Sequence, residues 1–148
     1  MPNDCYNYLE APDGDVSLIA DYISTRKVKY SKLPEVFLDF RKIVKPPKGQ
    51  ENYDWSTQNW GTKANSYDGT VLENGIGFYT AWAPPTPVIV ELAKKTGHTL
   101  RMIYDEPGMD FCGEFFAYPD GKYADEQYSP RSDAPDELKE ELSIEDEE

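Results

Sequence analysis

The sequence is poor in the residues that most metal sites and many enzymes rely on. Its 148 residues hold one histidine, His98, and two cysteines, Cys5 and Cys112. A structural zinc site takes four such ligands, so no metal is assigned. Two cysteines in a chain with no basic start followed by an apolar stretch are expected to stay free thiols. No apolar run approaches the roughly 20 residues of a membrane-spanning helix, and a cytoplasmic protein is expected. Basic residues are scarce as well. Fifteen Lys and Arg stand against 28 Asp and Glu, a net charge of −13. Affinity for nucleic-acid backbone comes mainly from Lys and Arg neutralising phosphates, so this balance disfavours direct nucleic-acid binding. It favours a basic partner, or serves solubility alone. No nucleophile motif, metal-ligand spacing or dinucleotide fingerprint occurs. No catalytic residue and no cofactor is therefore assigned, and the chain is not expected to be an enzyme.

Aromatic residues are plentiful: six Phe, eleven Tyr and three Trp. The most informative stretch runs from Asp54 to Gly97 and holds all three tryptophans. Within it Ile76, Phe78, Thr80 and Trp82 alternate with Gly77, Tyr79 and Ala81, which predicts a strand with a large apolar face. Pro84 and Pro85 end that strand. Thr86 can cap a following helix with Pro87 at its first position, and Ile89, Leu92, Ala93 and Thr96 form its apolar stripe before Gly97 stops it. Upstream, residues 4–9 alternate as a first strand, and Pro12-Asp13-Gly14 turns the chain. Asp15 caps an expected helix with Val16, Ile19, Ala20 and Ile23 on one face, and Val36, Leu38 and Phe40 alternate as another strand. Tyr53 to Trp60 predicts a short helix stopped by Gly61, and residues 61–73 read as a connection. Residues 98–105 and 111–118 pair through Pro107-Gly108. The order suits an α+β fold: a ferredoxin-like antiparallel sheet with helices packed on one face, as a single domain over residues 1–124.

Residues 125–148 differ in composition. Eleven acids stand there against Arg131 and Lys139, leaving a net charge of −4 for the rest. Ser132-Asp133-Ala134-Pro135 can start one short helix carrying Leu138 and Leu142, but two leucines make a thin stripe. A flexible acidic tail is expected.

Two clusters are candidate binding residues. Trp60, Gly61, Thr62 and Lys63 place a glycine, a hydroxyl and a cation together, although they lack the second glycine and the Lys-Ser/Thr order of a phosphate loop. The same residues also read as a helix stop with Trp60 in the core. Asp105, Glu106, Asp110 and Glu114 gather carboxylates around one hairpin, where a divalent cation or acid–base work is conceivable, although the spacing matches no calcium loop. Here too a solvated turn explains the residues.

Three segments carry a family resemblance. MPNDCYNYL resembles a start of the form MPNxCxNxL, QNWGTKANSYD an NWGTKWN-type segment, and FYTAWAPPTPVIVELAKK a TAWxPPxPVI strand and helix. Together they resemble the YubB-like proteins of phages and plasmids, whose C-terminal part is a ferredoxin-like domain. Ala64 stands where that pattern has tryptophan, and Asp4 where an aromatic is common. The resemblance implies a mobile-element accessory protein in a bacterial host, and the negative charge adds the expectation that it acts by protein binding. With the acidic charge, it points to a host partner such as a nucleic-acid-binding defence complex, inhibited in an anti-CRISPR or anti-restriction manner by acidic mimicry of nucleic acid. Two alternatives stay open: a small-ligand or nucleic-acid-binding ferredoxin-like module, and a metal-dependent hydrolase of nucleotides or phosphodiesters.

Overall fold

A computed structural model describes residues 3–144. Chain order runs β1 (Asp4–Glu10), β2 (Ile23–Arg26), β3 (Glu35–Leu38), α1 (Tyr53–Asn59), β4 (Tyr67–Val71), β5 (Gly75–Ala81), α2 (Thr86–Thr96), β6 (Leu100–Glu106), β7 (Phe111–Ala117), β8 (Tyr123–Tyr128) and α3 (Asp136–Glu141). Short 3-10 turns lie at Val16–Leu18, Ala20–Tyr22, Phe40–Lys42 and Arg131–Asp133.

The strands form one antiparallel sheet in the order β2-β3-β4-β5-β1-β6-β7-β8. β1 and β4 both run antiparallel to β5, so they are parallel to each other with β5 between them. β5 and β6 flank β1 in the same way. Each parallel pair is joined through a helix, α1 in the first case and α2 in the second. Two interleaved βαβ units make the ferredoxin-like plan, with β4-β5-β1-β6 at its centre. The hairpin β2–β3 extends one edge, and β7–β8 the other.

Alternation along the central strands builds the core. Cys5, Leu9, Ile76, Phe78, Leu100, Met102, Tyr104 and Phe115 are buried on one face against Val88, Ile89, Leu92 and Ala93 of α2. Burial of each such aliphatic side chain contributes about 1.5–3 kcal/mol. Gly97, at φ 72°, ends α2 in the left-handed conformation that the sequence predicts.

Five expectations need correction. The helix expected over residues 16–23 is two 3-10 turns leading into β2. Asp15 still caps the first by accepting from the Ser17 N–H. However, the Val16 N–H is drawn to the Glu73 carbonyl, outside any helix, and Ile23 pairs with Leu38 instead. The expected connection over 61–73 contains β4, with Asp68 at φ 49° where the register against β5 shifts. The expected domain boundary after residue 124 falls inside β8, and residues 125–144 are not a free tail. Tyr123 stacks on Phe115 at 5.6 Å, while Leu138 and Leu142 pack with Ile103 and Cys112. The acids of β8 suit an edge strand, where charge blocks pairing with a further chain. Residues 145–148 lie outside the described residues. The helices do not share one face: Ile103 alternates with Met102 along β6, so α3 packs on the side opposite α2. Trp82 does not extend the inward row of β5, which ends at Ala81. Among the described residues no helix is long and apolar enough to cross a membrane.

Candidate functional site

The segment from Trp60 to Lys63 divides between packing and surface. Trp60 is fully buried, donates from Nε1 to the Val44 carbonyl at 2.9 Å, and meets Phe40 and Trp55 edge-on. It is a core residue. Gly61 sits at φ 77°, and a Cβ there would lie 2.7 Å from Pro87 Cδ, so only glycine both stops α1 and lets the start of α2 approach. Thr62 is buried and donates to the Ala81 carbonyl at 2.8 Å. Lys63 alone of the four is exposed.

That Thr62 bond braces an unusual turn. Trp82 has φ 71°, and the Ala83 N–H donates to the Ala81 carbonyl at 2.9 Å across it, which makes a γ-turn of the rare positive-φ kind. A bulky residue in this region costs roughly 1–3 kcal/mol and persists only where its surroundings fix it. They do so here. The Trp82 N–H donates to the Asn3 carbonyl at 2.8 Å, and the Thr80 hydroxyl donates to the Ala83 carbonyl at 2.7 Å. Buried Asn7 in turn donates to Thr80 Oγ1 at 3.0 Å. The turn carries the indole outward, 42% exposed, onto a cleft of about 370 Å³ shared with Tyr53, Gly61, Thr62 and Lys63.

The hairpin carboxylates do not converge. Asp105 is nearly buried and clamped by Arg131 through two bonds of 2.6 and 2.8 Å. These bonds hold the guanidinium above its ordinary pKa against the cost of burial. The Asp110 carboxylate accepts from the Arg131 N–H at 3.1 Å. Glu114 accepts from Arg101 Nε at 2.6 Å, and Glu10 and Glu141 hold the same guanidinium. Glu106 follows Tyr104 in the alternation of β6, toward α2, and accepts from the Gly108 N–H at 2.9 Å. The four acids thus split between two faces of the sheet, and arginines neutralise two of them. Among the described residues no three His, Cys, Asp or Glu side chains are grouped to hold a metal ion. Cys5 and Cys112 are buried free thiols on opposite faces, and burial, then nearby Glu106, pushes the Cys5 thiol far up.

The face opposite α2 shows what the sequence analysis did not assign. Tyr67 stacks on Tyr79 at 6.2 Å, and Tyr79 meets Tyr6 at 5.4 Å, giving a row across β4, β5 and β1. Gly77 makes room for it, since a Cβ there would lie 2.6 Å from the Tyr6 hydroxyl. Tyr67 donates to the Asp4 carboxylate, and burial together with that bond raises its pKa far above the ordinary value. Asp4, Tyr6 and Tyr79 line a cleft of about 360 Å³ with Asp105, Pro107 and Leu142. Asp68 lies beside this row, and partial desolvation of its carboxyl, then the charges of Glu35 and Asp4, push it upward. The four arginines of the chain are each ion-paired, Arg26 with Glu35, Arg41 with Glu51, and Arg101 and Arg131 as above.

The family model described as "Ferredoxin-like domain in Api92-like protein" matches residues 59–147, from the end of α1 onward. The chain belongs to this family. The match gives independent support to the ferredoxin-like plan and draws residues 125–144 into the domain. It does not carry the YubB-like part of the resemblance. No curated protein and no solved structure matches. In this Api92-like domain Trp60 and Thr62 are structural, while Lys63 is joined on the surface by Trp82 and Tyr53. The tyrosine row was foreshadowed by Tyr6 and Tyr8 alternating against Cys5, Asn7 and Leu9. Phenols can face water where Cys and Leu are buried.

Proposed function

We propose that this protein acts by binding a basic protein surface through its tyrosine–carboxylate face. The observation that carries this reading is the Tyr67–Tyr79–Tyr6 row with Asp4 at its rim and its neighbouring arginines already paired. Aromatic faces attract Lys and Arg head groups, and more so with a carboxylate beside them. Rigid rings at the centre of a contact supply most of the binding energy, and charge complementarity sets the on-rate and the choice of partner. The same charges oppose a nucleic acid on this face. Paired arginines and a net charge of −13 leave little to neutralise phosphates.

In the mobile-element setting implied by the sequence resemblance, the partner is a host nucleic-acid-binding protein. A defence nuclease of the CRISPR or restriction type is such a partner, its phosphate-binding groove filled by the acidic domain. The test is capture from a bacterial host lysate with identification of the bound protein. Expected is a nucleic-acid-binding partner whose capture weakens steeply with salt, is competed by DNA, and is lost with Asp4→Lys or Tyr79→Ser. A phage or plasmid challenge in cells carrying such a system should show its inhibition. Absence of a basic partner, together with unaltered defence across a panel of systems, overturns the proposal.

A further inference from the structure

The cleft between α1 and the end of β5 lies apart from the tyrosine row and differs from it in chemistry. Tyr53, 67% exposed, and Trp82, 42% exposed, present two rings to it, and Lys63 stands at its rim. Lys63 has no ion pair or hydrogen bond among the described residues. In a chain with nearly two acids for each base, no carboxylate among the described residues lines this cleft. Asp54 shares α1 but is not among the lining residues. The indole is carried outward by a backbone conformation that four hydrogen bonds enforce, to Asn3 and Ala81 and from Thr80 and Thr62. Continued alternation would instead have set that ring on the inward row with Ile76, Phe78 and Thr80. Strained residues fixed by their surroundings cluster at active sites and ligand clamps.

We infer that this cleft is a site for a small planar aromatic anion of the mononucleotide class, with its ring system against Trp82 and Tyr53 and its anionic group on Lys63. Stacking on exposed aromatic rings accepts any flat heterocycle. A single unpaired cation suits one phosphate or carboxylate, and a volume of about 370 Å³ is near the lower end for small-molecule sites, enough for one ring system and its charged substituent. A polynucleotide does not fit the same argument, because the surrounding net charge repels its further phosphates.

The test is titration of the full chain with the four ribonucleoside 5′-monophosphates, adenosine, inorganic phosphate and hexa-adenylate, followed by tryptophan fluorescence and amide chemical shifts. The monophosphates should bind saturably, purines more tightly than pyrimidines, with shifts centred on Gly61, Thr62, Lys63 and Trp82. Adenosine should bind at least about tenfold more weakly, consistent with loss of a charge-assisted contact, and phosphate alone should produce no saturable change. Trp82→Gly should weaken monophosphate binding by roughly 10- to 100-fold, the span that stacking of one base supplies. Lys63→Gln should weaken it without moving the unfolding midpoint, whereas Tyr79→Ser should leave it unchanged. The inference is overturned if no monophosphate binds at millimolar concentration, if the shifts map elsewhere, or if adenosine equals the monophosphate. Tighter binding of hexa-adenylate than of the monophosphate also overturns it, in favour of a strand-binding groove. Because Tyr79 and Asp4 take no part, failure here is separable from failure of the tyrosine face.

Discussion

Arg101 on β6 and Glu141 at the end of α3 are joined by two hydrogen bonds, from Nη1 and Nη2 at 2.9 and 2.8 Å. Glu10 accepts from Nη1 and Glu114 from Nε of the same guanidinium. One arginine therefore ties strands β1, β6 and β7 to the helix that closes the second core. Burial works against its charge, yet its three carboxylates keep its pKa well above the ordinary value.

Replacing Arg101 with Met is expected to destabilise the fold by about 2–3 kcal/mol, measured by urea unfolding. Breaking a fully buried pair costs about 3–5 kcal/mol. The figure here is discounted because the carboxylates are 23% to 43% exposed. Three acids would then crowd one another, so the loss should shrink in high salt. Glu141→Gln, which removes one exposed partner, is expected to cost under about 1 kcal/mol. Hydrogen exchange should place the damage in α3 before the central strands.

The buried phenols predict a specific alkaline behaviour. Tyr6, Tyr8, Tyr67 and Tyr104 all have pKa values raised, chiefly by burial. Unfolded tyrosines ionise near about 10. Above that pH the unfolded chain releases protons that the folded chain keeps, so folded stability, fully present below about pH 10, falls as pH rises through this window. Absorbance at the tyrosinate band should show a group of phenols that ionise only as the protein unfolds. Asp4→Asn should bring one of them, Tyr67, back toward the ordinary value. A titration in which all eleven tyrosines ionise together near 10 in the folded protein contradicts the burial of these four.

Acid behaviour has the opposite sign. Arg26 holds the Glu35 carboxyl below its ordinary pKa, and Arg41 does the same for Glu51. Their contribution is present above about pH 4.5 and is lost as pH falls through the depressed values. Arg26→Gln and Arg41→Gln should each flatten the acid limb of the stability profile, and circular dichroism against pH checks it.

Much of the central architecture was legible because it rests on local signals. Residues 75–81 alternate, Gly97 stops a striped helix, and Pro107-Gly108 turns a hairpin, so β5, α2, β6 and β7 follow from sequence. β4 was hidden because Asp68 and Gly69 look like a turn, and Gly69 is required instead by the close approach of the Val36 carbonyl. β8 was hidden, and α3 was read only as a short helix on a thin stripe within a flexible tail, because their acids suggest disorder. What orders them is distant, the ring of Phe115 and the side chains of Ile103 and Arg101. The candidate site was legible only in part. Lys63 was named, but Trp82 looked inward by alternation, since the period of two carries no sign that the strand stops one residue earlier.

Trp82 offers the most discriminating mutation outside the tyrosine face. Glycine adopts φ 71° without steric cost, so Trp82→Gly relieves strain of roughly 1–3 kcal/mol. It also removes the buried part of an indole that is 42% exposed, a loss of similar size. The two should nearly cancel, and stability is expected to stay within about 1 kcal/mol of the parent, an unusual result for deletion of a tryptophan. Trp82→Ala loses the same ring and keeps a Cβ in the strained region, so it should be less stable than Trp82→Gly by about 1 kcal/mol. Removing the brace gives the converse. Thr62→Val leaves the Ala81 carbonyl without this donor and should cost about 1–3 kcal/mol, with faster amide exchange at Trp82 and Ala83. Thermal or urea unfolding of the three variants decides the matter. If alanine proves as stable as glycine, the turn stores no strain, and the outward indole is ordinary surface.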